Sequence, residues 1–287
     1  MDISIVIVSW NVKPLLKRCI ASIRKDAPGA EIIVVDNASH DGSADMVADE
    51  SGVRLIRNAT NRGFAAATNQ GLRVASRGTL LLLNPDAALQ PGAATALVSY
   101  LQNHPAVGIV GPRLVAPDGE MQRSVRAFPQ LSDQVLILLK LHHLMPRMPS
   151  LRRYFMHGFD AARTQPVDQV MGAAFAFRRD VLDRVGAFDE SFFVWFEEVD
   201  YCRRAADAGL SVHYLAEPAV THIGGASFRQ MLAIPEQLQF TRSLLRYFWK
   251  HQPRWQWLVL LAVTPVSLAL AALVQIGERI VRPAHQR

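Results

Sequence analysis

The densest group of acidic side chains in the sequence is Glu197, Glu198 and Asp200, directly after the aromatic residues Phe192, Phe193, Trp195 and Phe196. Carboxyls crowded beside aromatic rings lose hydration and repel one another, which raises the pKa of at least one of them toward that of a general base. Phe196, Val199 and Cys202 recur every three residues, so a helix is expected to start near Glu197, with the acids in the turn where its dipole favours negative charge. Simple complementation of that dipole on a solvated face is the competing explanation. A second candidate is Asp86, which closes Asn84-Pro85-Asp86 after the apolar run 80–83. A carboxylate there can bind Mg²⁺ or Mn²⁺, hard cations that take one or two carboxylates and fill their shells with substrate phosphates. A third is His222, just before Gly224 and Gly225; imidazole can join a carboxylate on such an ion, and glycines allow close backbone approach to a ligand. A base, a cation for a departing diphosphate and a shell that aligns two substrates are the requirements for moving a group from a phosphorylated donor to a hydroxyl. Taken singly, a turn aspartate or a structural histidine explains Asp86 or His222 equally well.

The elements that must position these groups are read from the apolar pattern. Short, continuous, largely β-branched runs at 3–8, 32–35, 53–56, 80–83 and 107–110 predict strands buried on both faces of a mostly parallel sheet. Helices are expected between them over about 12–25, 43–51, 64–75 and 92–103, bounded by Gly, Asn, Asp or Pro. The fold class is therefore α/β, and ligands of such sheets gather beyond the carboxyl ends of the strands. Three runs end in polar clusters there: Ser9-Trp10-Asn11, Asp36-Asn37-Ala38-Ser39 and Asn84-Pro85-Asp86. A further strand over 212–215 is expected to lead toward His222.

At 287 residues, with 50% hydrophobic residues, the chain can bury one sizeable core plus an appendage. The net charge of +6 suits an anionic nucleotide or an acidic membrane surface. Nucleic acid is not indicated, because Lys and Arg form no basic stripe interleaved with aromatics. Cys19 and Cys202 offer neither a disulfide framework nor a CxxC motif, which fits a reducing compartment. The N-terminal apolar run is too short for a signal-peptide core, so the main domain is expected in the cytoplasm. Residues 255–277 carry no charge, and 257–276 are predominantly apolar over the length a membrane-crossing helix needs. A span or re-entrant hairpin, an interfacial helix and a dimer-forming helix are all compatible with that stretch. The segment 130–155 reads either as membrane-surface contact or as a core helix followed by a basic loop.

Several motifs, in order, make the sequence resemble the family 2 glycosyltransferases of the GT-A fold, particularly the bacterial rhamnosyltransferase-like branch. They are IVIVSWN at 5–11, VVDNASHDGS ending at Ser43, NRGFAAATNQG at 61–71, LLLNPDA ending at Ala87, VGAFDESFFVWFEEVDYCRR ending at Arg204 and THIGGAS at 221–227. The resemblance, which runs from about Ile3 to Ser227, implies a GT-A domain over 1–228; the pattern beyond it is read as an amphipathic connecting helix over 229–254, the membrane-associated or transmembrane segment 255–277 and a basic tail 278–287. It further implies that Ser9, Trp10, Asn11 and Asp36 hold the nucleotide, that Asn61, Arg62 and Asn84 lie along the donor site, and that Asp86 binds the metal with His222 completing its shell. Glu198 takes the position of the general base, supported by Glu197 and Asp200, and Trp195, Arg123 and Arg126 fall near the acceptor. Two positions depart from the family pattern. The common Asp-x-Asp metal motif reads Asn84-Pro85-Asp86, and the catalytic pair reads Glu197-Glu198 instead of Glu-Asp, which leaves the base open between the two. The implied activity is inverting transfer from a nucleotide-diphosphate sugar, with deoxythymidine-diphosphate rhamnose the leading donor. The implied acceptor is a polyprenyl-linked or other glycan at the cytoplasmic face of the inner membrane, with the C-terminal segment as anchor and a homo-oligomer compatible. A non-catalytic sugar-nucleotide-binding or partner-binding module is the alternative; a nicotinamide dehydrogenase is disfavoured because the turn after 3–8 lacks GxGxxG.

Overall fold

Every apolar run singled out above becomes a strand in the computed structural model, which describes residues 1–224 and 233–281. The N-terminal half alternates β1 (Ile3–Ser9), α1 (Lys13–Asp26), β2 (Glu31–Asp36), α2 (Ser43–Ala48), β3 (Val53–Arg57), α3 (Phe64–Val74), β4 (Thr79–Leu83), β5 (Ala87–Leu89), α4 (Ala93–Asn103) and β6 (Val107–Val115). There follow β7 (Met121–Gln122), β8 (Val125–Arg126), α5 (Leu131–Leu138), α6 (Pro149–Tyr154), β9 (Gln165–Val167), β10 (Gln169–Val170) and β11 (Ala174–Arg178). The chain ends in α7 (Arg179–Val185), α8 (Glu197–Asp207), β12 (Ser211–His222), α9 (Ala233–His251) and α10 (Arg254–Val281).

Among the described residues the main sheet has the order β3-β2-β1-β4-β11-β6-β12-β5. Strands β3, β2, β1 and β4 are parallel, as are β6 and β12, while β11 enters antiparallel between β4 and β6. The continuous apolar runs are explained by burial on both sheet faces. Ile3, Ile5 and Ile7 join one core layer with Leu16, Cys19, Ile20 and Ile23 of α1, whereas Val6 joins the other with Leu72 of α3. Leu81 and Leu83 likewise face the first layer, and Leu80 and Leu82 the second, the period-2 alternation of a pleated strand. Both cysteines are free and buried.

Two elements differ from their sequence expectations. The helix over 43–51 stops at Ala48, where Asp49 and the left-handed Gly52 lead into β3. The strand over 212–215 continues through a bulge to His222, because β6 on one side and β5 on the other keep pairing with it. Residues 225–227 of the THIGGAS motif, with Gly225, and residues 282–287 of the basic tail lie outside the described residues.

A third core layer joins α9 to the rest. Leu244, Tyr247 and Phe248 pack against Phe192, Phe196 and Val199, with Leu138 of α5 and Leu260 of α10. In the 130–155 segment, Leu138 is fully buried while Leu144, in the following loop, is 79% exposed. On α10, the residues Leu260, Ser267 and Ala271, spaced at i, i+7 and i+11, are buried, and Gln275 Oε1 accepts a hydrogen bond from the Ile234 N–H of α9. The opposite face exposes Trp255, Leu258, Leu261, Val266, Leu273 and Val274. The stretch Arg254–Gln275 is long and apolar enough to cross a membrane, and only 17% of its most apolar 18-residue window is buried. A core helix of a water-soluble domain would hide such a surface.

Candidate active site

The carboxyl ends of β1, β2 and β4 open on a cavity of about 670 Å³. Its wall beyond β2 is organised by Asn37, which is 2% exposed. The Asn37 N–H donates to the Ser9 carbonyl at 2.8 Å, and its Nδ2 donates to Asn61 Oδ1 at 2.8 Å and to the Gly63 carbonyl at 3.2 Å. Its Oδ1 accepts from the Arg62 N–H and from Asn58 Nδ2, each at 3.0 Å. With its side-chain amide fully engaged, Asn37 fixes the 58–63 loop against the β1 end, where Trp10 lines the cavity.

Asp86 and His222 come together through the antiparallel pairing of β5 with β12, in which His222 is opposite Ala87. The Ile223 N–H donates to the Asp86 carbonyl at 3.1 Å, and the Gly224 N–H donates to Asp86 Oδ2, also at 3.1 Å. Gly224 has φ +81°, a left-handed conformation that suits glycine. Asp86 Oδ1 then lies 3.4 Å from His222 Nε2, with each side chain only 7% exposed. Among the described residues no group of three or more His, Cys, Asp or Glu gathers to hold a metal. One carboxylate and one imidazole, facing a space large enough for phosphates, nevertheless fit a hard divalent cation that takes the rest of its shell from substrate and water.

The opposing wall is the start of α8. Trp195 and Phe196 both adopt left-handed φ, 64° and 67°, a local strain imposed by three anchors. Phe193 accepts a hydrogen bond at its carbonyl from the Phe64 N–H at 2.6 Å, Val194 accepts from Ser243 Oγ at 2.7 Å, and Phe196 is buried among Phe240 and Tyr247. Gly63 makes the first contact possible, since a Cβ there would sit 2.5 Å from the Phe193 carbonyl oxygen. This loop turns Glu197 and Glu198 into the cavity. Neither Glu197 Oε2 nor Glu198 Oε2 has a hydrogen-bond partner among the described residues. Burial, and for Glu197 also the adjacent Glu198 charge, pushes the Glu197 carboxyl well above its ordinary range; burial also raises Glu198, partly offset by backbone N–H groups. On the third side, Arg126 donates to the carbonyls of Arg123 and Val125 and lies over the Phe155 ring. Burial lowers its pKa, and Arg123 stands beside it on the cavity wall.

The family model described as glycosyl transferase family 2 matches residues 4–186, more than half of the chain. The chain belongs to glycosyl transferase family 2. Relatives include the N-acetylglucosaminyl-diphospho-decaprenol L-rhamnosyltransferase of Mycobacterium tuberculosis, 28% identical over 234 residues that cover 76% of this chain and 75% of that protein. The rhamnosyltransferase WbbL of Escherichia coli is 24% identical over 219 residues, covering 74% and 79%. Among solved structures, the mannosyltransferase PcManGT from Pyrobaculum calidifontis, in complex with GDP-Man and Mn²⁺, superposes with a TM-score of 0.54 at 18% identity, covering 98% of this chain and 76% of that one. The fold is GT-A, and the protein is a family 2 glycosyltransferase.

Within this glycosyltransferase, Trp10, Asn61, Asn84, Asp86, Arg123, Arg126, Trp195, Glu197, Glu198 and His222 line one cavity. Ser9, Asn11, Asp36, Arg62 and Asp200, although singled out from the sequence, are not on its wall. Ser9 and Asp36 are buried; Asp36 Oδ2 accepts from the Ser39 N–H, while Ser9 Oγ and Asp36 Oδ1 have no protein partner among the described residues. Asn11 Oδ1 accepts from the His40 N–H and shapes the turn. Arg62 is exposed and contributes its backbone N–H to Asn37. Asp200, expected beside Glu198, instead faces Arg204, Lys250 and His251 at 2.7–2.8 Å, because the following helix turn directs it toward α9. Sequence reading missed the roles of Asn37, Gly63 and Gln122, although Asn37 and Gly63 lie inside motifs it had marked.

Proposed function

We propose that the protein transfers a sugar, with rhamnose first in line, from a nucleotide-diphosphate donor to a lipid-linked glycan acceptor with inversion at the anomeric carbon. The observation that carries this reading is the single cavity shared by Asp86, His222 and the carboxyls of Glu197 and Glu198, each of which keeps one oxygen without a hydrogen-bond partner among the described residues. Glu198 accepts the proton of the acceptor hydroxyl. The acceptor oxygen bonds to the anomeric carbon as the bond to the diphosphate oxygen breaks, and the nucleoside diphosphate leaves with that electron pair. Glu197, held higher by burial and by its neighbour, keeps its proton and spares the site a second negative charge. Asp86 and His222 hold Mg²⁺ or Mn²⁺, whose charge stabilises the departing diphosphate. Trp10 and the Asn37-ordered loop with Asn61 seat the donor, and Arg123, Arg126 and Trp195 border the acceptor entrance. Ser9, Asn11, Asp36 and Arg62 act behind this wall, shaping the donor turn.

The exposed apolar face of α10 supports attachment to the cytoplasmic face of the inner membrane, where enzyme and lipid-linked acceptor share one plane. At about 1.5 Å per residue, the 22 residues of Arg254–Gln275 would run roughly 33 Å, enough for a bilayer core of ~30 Å. The full-length enzyme is to be assayed in membranes with a panel of nucleotide sugars and polyprenyl-diphosphate acceptors, with Mn²⁺, Mg²⁺ or chelator. Metal-dependent transfer to a lipid-linked acceptor is the expected result, lost in Asp86→Asn. Wild-type enzyme that binds a nucleotide sugar yet transfers nothing from any donor would overturn the proposal.

A further inference from the structure

Gln122 holds His222 at two points from outside the strand that carries it. It lies on β7, which pairs with β6, and β6 in turn pairs with β12, so that Leu114 is opposite both Gln122 and Val220. Gln122 Nε2 donates to the His222 carbonyl oxygen at 2.7 Å, and Gln122 Oε1 stands 2.9 Å from His222 Nδ1. A carbonyl oxygen only accepts, so the amide must present its nitrogen to the backbone and its oxygen to the ring. An amide oxygen also only accepts, so Nδ1 must carry the hydrogen. The neutral imidazole then has its lone pair on Nε2. Nε2 is the atom 3.4 Å from Asp86 Oδ1, and the Gly224 N–H holds the other oxygen of that carboxylate. Two acceptor atoms are thereby aimed at each other in a nearly solvent-free corner of the cavity, an arrangement that a shared cation stabilises.

We infer that Gln122 is a positioning residue: its side-chain amide selects the Nδ1–H tautomer of His222 and fixes the ring so that Nε2 and Asp86 present one paired site to a divalent cation. The inference rests on the metal-dependent reading above and adds a residue that holds the ligand without touching the metal. Outer hydrogen bonds to a ligating histidine typically change metal affinity by about 10–100-fold.

The test uses the full-length protein in detergent, Mn²⁺ and deoxythymidine diphosphate, with protein-bound Mn²⁺ measured by electron paramagnetic resonance. Directly coordinated imidazole nitrogen is detected by electron spin-echo envelope modulation. Wild type should bind Mn²⁺ with nitrogen modulation, and His222→Ala should lose that modulation. Gln122→Leu should weaken Mn²⁺ binding about 10–100-fold, and Gln122→Glu, which retains an acceptor for Nδ1–H, should recover most of the affinity. Gln122→Asn, whose amide is one methylene short, reads the same effect if the leucine variant fails to fold. A folded Gln122→Leu or Gln122→Asn protein with wild-type Mn²⁺ affinity and modulation, while His222→Ala loses both, overturns the role of Gln122 and leaves the metal reading standing. Equal binding by wild type and His222→Ala removes His222 from the metal, and the inference with it.

Discussion

The first turn of α8 carries three acids, Glu197 and Asp200 buried and Glu198 half-buried, with opposite fates. Asp200 is fully buried yet surrounded by Arg204, Lys250 and His251. Burial alone would raise its carboxyl, but hydrogen bonds from His251 and Lys250 and the charges of Arg204 and Lys250 outweigh it and hold the pKa below the ordinary range. Glu197, which is buried, and Glu198, half-buried with its Oε2 shielded, lie two to three residues earlier without cationic partners, and both are raised. Burial therefore does not by itself make a base; uncompensated burial facing a cavity does. Compensated Asp200 instead ties α8 to α9, which packs against the helix with the membrane-compatible surface.

The contrast is broken most severely by removing the base. Glu198→Gln should lower kcat by roughly 10²–10⁴-fold, the usual contribution of general base catalysis, with donor affinity measured by titration nearly unchanged. If Glu197→Gln gives the larger loss, the two glutamates exchange roles. Next, Asp200→Ala should destabilise the fold by about 1.5–3 kcal/mol, because it removes the buried carboxylate that accepts charge-assisted hydrogen bonds from Arg204, Lys250 and His251; thermal unfolding in detergent reads this directly. Gly63→Ala is expected to cost about 1–3 kcal/mol through overpacking and to lower kcat, since the displaced Phe193 carbonyl lies on the loop that aims Glu197 and Glu198. Activity unchanged in a measurably destabilised variant would detach that loop from catalysis.

The smallest effect concerns stability against pH. A carboxyl whose pKa is raised on folding contributes stability that is complete below its unfolded value and is lost as pH rises through its folded value. For Glu197 the ordinary value is 4.5, so above that pH the unfolded carboxyl is ionised and must regain its proton on folding, a cost that opposes folding at neutral pH. Glu197→Gln should therefore raise Tm at pH 7.5, by about 2–4 °C for each kcal/mol regained, and the gain should disappear near pH 4.5, the ordinary value for this group.

The contrast within α8 was only half legible in the sequence. Aromatic neighbours and helical spacing were enough to expect a helix at Glu197 and a raised carboxyl there, because both follow from residues close in the chain. Asp200 looked equivalent to its neighbours, since its partners Lys250 and His251 arrive from α9, about fifty residues later. The strand ends at Ser9, Asp36 and Leu83 were readable from apolar runs, yet which polar residue faces the cavity and which is turned inward depends on the pleat and on loop closure. Asn37 rather than Asp36 reaches the cavity wall for that reason. The Gln122 and His222 contact spans 100 positions and requires β6 between them, a relation no local pattern carries. A helix long and apolar enough to cross a membrane was readable because length and apolarity are local properties, whereas the face of α10 buried on α9 emerged only from packing.

A single displacement driven by one carboxylate base is tested most directly by the configuration of its product. Once the donor is identified, the one-bond carbon–hydrogen coupling at the anomeric carbon of the purified product, compared by NMR with that of the donor, reports it. Inversion is the expected result. Retention would contradict direct attack by a hydroxyl deprotonated at Glu198 and would require a covalent or front-face route that this cavity was not assigned.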